Sequence, residues 1–530
     1  METFEIIDIT EDGKGIAKKD SLVYFIKGAK LGDTVKIKNI KEKKNYILAE
    51  VAEFKERSKY RITSMCNYFP RCQNCAFQDL EYERELEFKK NKVLNNLKRI
   101  GNIEDIEDMC REDIAIVGSD TSGYRNKVTL KVKDGKIGYF KRKTNELVEI
   151  KRCDIANDRI NEIIKIISEE YINYLKYFSD IMIRVIDNNI QIELTVDAKY
   201  NAEEVLKNEK EKLEELKNDI LKQNEVDSNI QIYLKDIKNN TFLAAAGDDI
   251  KIEFLGKKYY VHPNSFFQVN KKQAEKIYSD ILKELKKQDT KNNVLIDMYS
   301  GVGVSTVLFS SMFEKVIAIE NNVEAVEMAD RNAILNGVDN SKNILGKAED
   351  EISKLDIPKN SYVFVDPPRS GLDKKVINKI TQSGVENIVY MSCNSSSLAR
   401  DLKIFKENMY DIQKIAIYDM FPRTLHVEVI TQLSKLDSKK YISVELPMDD
   451  MYLTSAESKA TYKQIQNYVL EKFGFEVSAL YIAQVKKKHG LEVREHYNIS
   501  KNEKQKIPQC PIEKEEAILD ALKHFKMVYY

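Results

Sequence analysis

The segment VYMSCNSSSLARD, residues 389–401, sets Cys393 where an apolar strand-like run passes into a polar stretch. A thiolate there could add to carbon 6 of a pyrimidine, activate carbon 5, and be expelled afterwards. A free thiol has a pKa of about 8.5, so little of it is ionised at neutral pH; a helix N-terminus after Cys393 would assist ionisation. Once carbon 5 has gained a substituent, its proton must leave before the cysteine can, and that requires a general base. Glu428, in DMFPRTLHVEVI, lies on a strand-like run after a Phe-Pro turn and is the first candidate; His426 and Asp419 are alternatives. Taken singly, each residue has an ordinary explanation. A cysteine after an apolar strand is usually a small buried residue, and a lone glutamate in a strand usually faces water. Their neighbours raise them above that.

Upstream, VLIDMYSGVGVS reads as an apolar strand that delivers Asp297 and Tyr299 to a sheet edge, where Gly301 and Gly303 let the backbone turn closely around a ligand. The pattern is not GxGxxG, so a dinucleotide pyrophosphate fits poorly. Glu320 ends the next apolar run, VIAIE, about 20 residues after the glycines, where a carboxylate can accept hydrogen bonds from ribose hydroxyls. A GxG turn alone is weak; with the spaced acid it points to an adenosine-containing cofactor. FVDPPRSG places Asp366 on an extended lip that two prolines hold rigid, able to present hydrogen-bond acceptors to a flat polar ring. Adenine-N6 methyltransferases follow a similar Asp-Pro-Pro with an aromatic, and Arg369 stands there instead.

Cys66, Cys72 and Cys75 form C-x5-C-x2-C, and Cys153 follows in EIKRCDIAN. Three close thiolates and a remote fourth suit either structural zinc or an iron–sulfur cluster. The spacing is not the C-x3-C-x2-C of radical enzymes. Cys110 and Cys510 have no such company.

These groups need elements to position them. Residues 1 to about 56 carry short alternating runs (FEIIDI, LVYFI, DTVKIKNI, YILAEVAEF) separated by EDGKG and LGD, the pattern of a small OB-like β-barrel. A charged helical segment from Leu80 to about Ile100 follows the first cysteines and stops at Gly101. From about 112 to 256, strands such as KVTLKVKDGKIGYF and IMIRVIDNNIQIELTV mix with helices, with DG and NN at the hairpin turns, giving an α+β domain. From 257 to 433 the rhythm is strand–helix–strand, with VLIDMY, KVIAIE, YVFVDPP and NIVYMS as strands of a doubly wound parallel sheet. After the LSKLDSKK linker, residues 434–530 combine a helix (SAESKATYKQIQNYVLEKFG) with a strand (SALYIAQV) and show no chemical signature.

Composition bounds the rest. The 530-residue chain is 42% hydrophobic and 32% charged, as expected of a soluble multidomain protein. Its formal net charge is zero, which counts against a nucleic-acid partner; local runs such as KIKNIKEKK (36–44) and FKERSKYR (54–61) could still meet one, although such a run is more often a solvated face. METFEIIDITEDG lacks the basic and apolar regions of a signal peptide, and no apolar run approaches the ~18 residues of a membrane span. A cytoplasmic protein without a membrane partner is expected, its seven cysteines reduced.

The motifs SFFQVN (265–270), DMYSGVG, DPPRSG, MSCNSSSLARD and DMFPRTLHVE resemble, in order, the signatures of RNA 5-methyluridine methyltransferases, in particular the bacterial 23S ribosomal RNA branch. The resemblance runs in domain order over residues 1–433 and is densest over about the last 170 of these. It implies a multidomain α/β chain: a TRAM-like OB barrel (1–56), a central α+β domain with a [4Fe-4S] cluster (57–256), a Rossmann-like S-adenosyl-L-methionine-dependent methyltransferase domain (257–433) and a small α/β extension of unknown role (434–530).

Carried over motif by motif, Cys393 is the implied nucleophile and Glu428 the base. Gln268, Tyr299, Glu320 and Asp366 fall on cofactor-contacting positions, with Gln268 and Asp366 also near the uracil. Cys66, Cys72, Cys75 and Cys153 fall on the cluster ligands, which favours iron–sulfur over zinc. Ser300, Ser395 and Arg423 depart from the usual Cys, Pro and Gln. The expected activity is methylation of carbon 5 of a 23S ribosomal RNA uridine through a covalent Cys393–C6 adduct, by a monomer. The same chemistry on the transfer-RNA T-loop is an alternative, from a branch that generally lacks barrel and cluster. A non-catalytic RNA-binding iron–sulfur protein is another, disfavoured by Cys393, Glu428 and the glycine turn standing in one chain.

Overall fold

The computed structural model describes residues 2–10, 13–104, 106, 114, 116–223, 228–436, 462–475, 477–489 and 510–525. Cys110 lies outside them. The chain divides into two compact units, Met1–Ser438 and Lys439–Tyr530.

The first unit begins with a six-stranded sheet in the order Thr3–Glu5, Thr34–Glu42, Tyr46–Glu56, Leu22–Lys27, Gly15–Lys19, Asp8–Ile9. Its two end strands are consecutive pieces of one stretch of chain. Ile6 N–H donates to Asp33 O and Ile7 N–H to Ile16 O, both at 2.9 Å, so the sheet closes on itself. Alternation puts Phe4, Ile6, Ala17, Tyr24, Ile26, Val35 and Ala49 inside.

A seven-stranded sheet follows, ordered Leu147–Glu149, Lys136–Phe140, Lys127–Lys133, Phe178–Ile186, Asn189–Val196, Asn229–Asp236, Thr241–Ala246. Asp134 and Gly135, and Asp187 at the second hairpin, take the left-handed φ that tight turns demand. The one parallel pair, Asn189–Val196 with Asn229–Asp236, is bridged by the helix Ala202–Gln223. That helix and Asp158–Glu170 help bury one face of the sheet.

The third sheet has eight strands, ordered Ser341–Leu345, Lys315–Glu320, Val294–Met298, Tyr362–Val365, Asn387–Ser392, Glu428–Lys435, Tyr410–Tyr418, Ile116–Val117. The first five are parallel; four of them were legible as near-continuous apolar runs, and the edge strand Ser341–Leu345, half exposed and polar, was not. The expectation of a wholly parallel sheet needs correcting, because Glu428–Lys435 pairs antiparallel with both its neighbours. The linear partition at 57–256 and 257–433 also does not follow the packing. Ile116–Val117 extends the third sheet, and Val93 and Leu97 of the helix Tyr82–Arg99 lie in that sheet's core. The hairpin Lys251–Phe254/Lys257–Tyr260, which the 256/257 boundary cuts, buries Ile252, Phe254 and Tyr259 against Ala274, Ile277 and Phe309.

The second unit shows three helices among its described residues: Tyr462–Phe473, Ala479–Lys488 and Ile512–His524. The strand expected at SALYIAQV is a helix. Ser478 caps it by accepting from Tyr481 N–H, and Ile482 and Val485, three apart, face Ile465, Val469, Ile518 and Leu522. No described helix is long and apolar enough to cross a membrane.

Candidate active site

Strand Val294–Met298 ends in a loop that reverses sharply: Tyr299, Gly301 and Gly303 have φ of 62°, 55° and 80°. A Cβ on Gly303 would lie 3.2 Å from the Ala329 Cβ, so the glycine also allows close helix packing. Asp297 does not reach the sheet edge as a ligand-facing group. It is fully buried and accepts hydrogen bonds from Ser305 Oγ at 2.7 Å and Thr306 Oγ1 at 2.6 Å, pinning the start of the next helix. Burial pushes its carboxyl up to about 6.

Gln268, Tyr299 and Asp366 line one cleft together with Phe266, Gly301 and Ser305. Glu320 is not among the lining residues but braces them: its Oε2 accepts from Gly301 N–H at 2.9 Å, and Oε1 from Asn321 and Asn322 N–H at 2.8 and 2.9 Å. The cleft encloses about 50 Å³. Gln268 Oε1 is buried there without a hydrogen-bond partner. An acceptor so placed beside a carboxylate and a glycine turn fits the amine, hydroxyl and amino donors of an adenosyl amino acid.

Cys393 follows strand Asn387–Ser392 and precedes Asn394, whose side chain accepts from Ser396 N–H and caps the helix Ser395–Glu407. Strand pairing sets Ser392 against Val429, so the next position brings Cys393 level with Glu428. Glu428 is buried, and its Oε2 has no partner. Helix-assisted ionisation of Cys393 is not what this environment produces. Burial, then Glu428 and Asp366, push the thiol up to about 11, against which Arg369 pulls. Burial and Asp297 push Asp366 up to about 7. Burial and Asp366 push Glu428 well above the usual carboxylate range. The resting site thus holds a neutral thiol between two carboxyls that resist sharing charge.

A cavity of about 310 Å³ opens on Cys393, lined also by Lys89, Lys92, Arg142, Arg369 and His426. His426 approaches Arg369 at 3.5 Å, and burial followed by Arg369 pushes it down to about 4. Asp419, the other alternative base, is taken: it is buried, held 2.7 Å from Lys89 Nζ, and accepts from Tyr82 Oη at 2.9 Å. The cavity cations escaped the sequence reading. Lys89 has only a helical i,i+4 spacing from Glu85, which looks like any solvated pair, and Arg142 arrives from a distant hairpin.

Cys66, Cys72, Cys75 and Cys153 converge on a second cavity of about 450 Å³, which shares Arg369 and His426 with the first. Burial pushes Cys72 up to about 11 and Cys75 up to about 12, so ionising these thiols needs a compensating cation. Among the described residues no three His, Cys, Asp or Glu stand close enough to grip one metal ion.

Comparison with known proteins decides the family. Residues 81–436 match the family model described as tRNA (uracil-5-)-methyltransferase. The chain belongs to that family. An RNA methyltransferase of Clostridium acetobutylicum is 35% identical over 459 residues, covering 82% of this chain and 96% of that protein. One from Caldanaerobacter subterraneus subsp. tengcongensis is 33% identical over 455 residues, covering 82% and 98%. Among solved structures, the Pyrococcus abyssi tRNA (uracil-54, C5)-methyltransferase in complex with S-adenosyl-L-homocysteine matches with a TM-score of 0.59 at 23% identity, over 82% of this chain and all of that one. This likeness shows a shared mixed α/β methyltransferase fold. By membership the chain is an RNA (uracil-C5)-methyltransferase, and Cys393, Glu428, Asp366, Gln268, Tyr299 and Glu320 all fall within the matched span.

Proposed function

We propose that this methyltransferase uses S-adenosyl-L-methionine to methylate carbon 5 of a uridine in 23S ribosomal RNA through a covalent Cys393–C6 adduct. The observation that carries the reading is the cross-strand placement of Cys393 and Glu428, with Asp366 linking them electrostatically to the cleft of Gln268 and Tyr299. Bound there, S-adenosyl-L-methionine would supply an electrophilic methyl group. Tyr299 and Glu320 would hold the adenosyl portion, and Asp366 and Gln268 would offer hydrogen-bond acceptors to the cofactor and the uracil. The Cys393 thiol passes its proton to water in the cavity as the Sγ–C6 bond forms; the C5–C6 electron pair shifts away from carbon 6, and carbon 5 would then take the methyl group that the cofactor supplies. Glu428, whose burial favours the protonated form, must first give that proton up to solvent; as a carboxylate it removes the carbon 5 proton, and the electrons of that bond rebuild the C5–C6 double bond and expel the thiolate. The uridine must leave its stack to enter so enclosed a cavity.

Residues 1–56 are read as a TRAM-like RNA-binding barrel; 57–256 carries the four cysteines and 257–433 the catalytic residues, as stretches of sequence that share the third sheet and its core. The extension from 434 has no assigned role. The four-cysteine cavity is read as the holder of a [4Fe-4S] cluster, with Cys66, Cys72, Cys75 and Cys153 as its thiolate ligands. We take the protein to be a cytoplasmic monomer.

A second substrate reading rests on the Pyrococcus abyssi enzyme, which acts on uracil-54 of tRNA and aligns over 82% of this chain. Methyl transfer from labelled S-adenosyl-L-methionine to unmodified 23S ribosomal RNA and transfer RNA in parallel, with the labelled nucleoside mapped, separates the two. Label in ribosomal 5-methyluridine supports the proposal. Label in transfer RNA alone moves the substrate, and label in neither sinks the assignment.

A further inference from the structure

Gln73 lies between Cys72 and Cys75 with φ of 62°, a left-handed conformation uncommon outside glycine. Its Oε1 accepts a 3.0 Å hydrogen bond from the backbone N–H of Arg142. Arg142 occupies the loop between strands Lys136–Phe140 and Leu147–Glu149. That loop is braced from within: Thr144 N–H donates to Lys141 O at 3.1 Å, Lys141 N–H to Glu146 O at 3.0 Å, and Lys133 Nζ to Asn145 O at 2.9 Å. Bracing inside and a tether outside make a stiff arm, and its Arg142 lines the cavity of Cys393.

The charge of that cavity is one-sided. Lys89, Lys92, Arg142 and Arg369 line it, and no Asp or Glu is among its lining residues. Two of these cations already serve protein carboxyls. Lys89 is held at 2.7 Å by both Glu85 and Asp419, and Arg369 offsets Glu428 and the Cys393 thiol. Arg142 is exposed at the rim. A nucleotide whose base reaches Cys393 brings its phosphodiester to that rim, and the planar fork of a guanidinium matches two phosphate oxygens.

The geometry points to Arg142 as the residue that grips the phosphate flanking the target uridine, with Gln73 of the cysteine loop setting its reach. The inference rests on RNA being the substrate, as proposed above. It gives the cysteine loop a part in substrate binding: Arg142 is the binding residue and Gln73 a positioning residue.

Steady-state methylation of the RNA found to be labelled, over a range of salt, tests this with wild type, Arg142→Gln, Gln73→Ala and Gln73→Glu. Arg142→Gln is expected to raise KM for RNA about tenfold, the worth of one charge-assisted hydrogen-bonded contact, with kcat within about twofold. The slope of log KM against log salt should shrink by about 0.7, one single-strand phosphate. A methylphosphonate at the flanking linkage should erase the difference between wild type and Arg142→Gln. Gln73→Ala should raise KM about threefold, less than loss of Arg142 itself, and Gln73→Glu, which keeps an acceptor, should restore it. If wild type methylates no RNA, the functional proposal falls. If wild type is active and Arg142→Gln keeps the wild-type KM and salt slope, this inference falls alone. If Gln73→Ala leaves KM unmoved, or Gln73→Glu fails to restore it, the positioning role is overturned.

Discussion

Asn96 Nδ2 donates a 2.8 Å hydrogen bond to Ser395 Oγ, joining the helix Tyr82–Arg99 to the first turn of the helix behind Cys393. Ser395, where the resemblance read from the sequence would lead one to expect proline, is the first residue after the Asn394 cap. Proline is well tolerated there, because an N–H at that position has no intrahelical partner. Ser395→Pro therefore trades a hydrogen bond for a stiffer chain. Its unfolding free energy in urea is expected within about 1 kcal/mol of wild type, with methylation retained. Collapse of activity would show that the serine serves the chemistry.

Cys393→Ala is expected to abolish turnover while cofactor affinity by calorimetry stays within about twofold, since the residue lines the other cavity. Glu428→Gln should slow turnover by about 10²- to 10⁴-fold and leave protein–RNA adducts that survive denaturing electrophoresis. Absence of adduct on methylatable RNA would remove Glu428 as the base.

With its thiol pushed up to about 11, Cys393 should alkylate slowly in the cofactor-free protein. The thiolate fraction grows about tenfold per pH unit below the pKa, so iodoacetamide labelling followed by mass spectrometry should accelerate about tenfold per unit from pH 7 to 10. A plateau near neutrality would mean the thiol is already ionised.

Asp297 titrates near 6 in the folded chain and near 4 when unfolded. Between those values the native state keeps a proton that the unfolded state has lost, so stability falls as pH rises through the window. The loss is about 3 kcal/mol from this group. Asp366, pushed up to about 7, acts in the same direction. Asp297→Asn should flatten the denaturant midpoint against pH between 4 and 7; an unchanged slope would contradict a buried, proton-holding carboxyl.

Lys89 is buried between Glu85 and Asp419, at 2.7 Å from each. Lys89→Met takes the ammonium from two buried carboxyls, leaving Glu85 to Arg423 and Asp419 to Tyr82, and should cost about 3 kcal/mol in chemical unfolding. A loss under about 1 kcal/mol would mean water replaces the ammonium.

The parallel core was readable because strands buried on both faces become apolar runs, and DG and NN announced two hairpins of the seven-stranded sheet. The directions of side chains were not. Asp297 ends its strand as a ligand-facing residue would, yet two hydroxyls nine and fewer residues later draw it inward. SALYIAQV has the apolar density of a strand; only the serine cap and the three-residue spacing of Ile482 and Val485 mark it as helical. The cross-chain links carry the least trace. Nothing local in IAIV foretells that Ile116–Val117 pairs with Tyr410–Tyr418, or that Gln73 meets Arg142.

That two-residue strand has a bearing on how the protein is made. Ile116 and Val117 leave the ribosome about 300 residues before Ile417 and Tyr418, the partners they cover. Until then the nascent chain carries Val93 and Leu97 without the sheet that buries them. A fragment cut at 257 would reverse the problem, exposing the edge of Tyr410–Tyr418 as an open template for aggregation. The catalytic sheet is therefore finished by the chain's first quarter, and neither part is a self-sufficient folding piece.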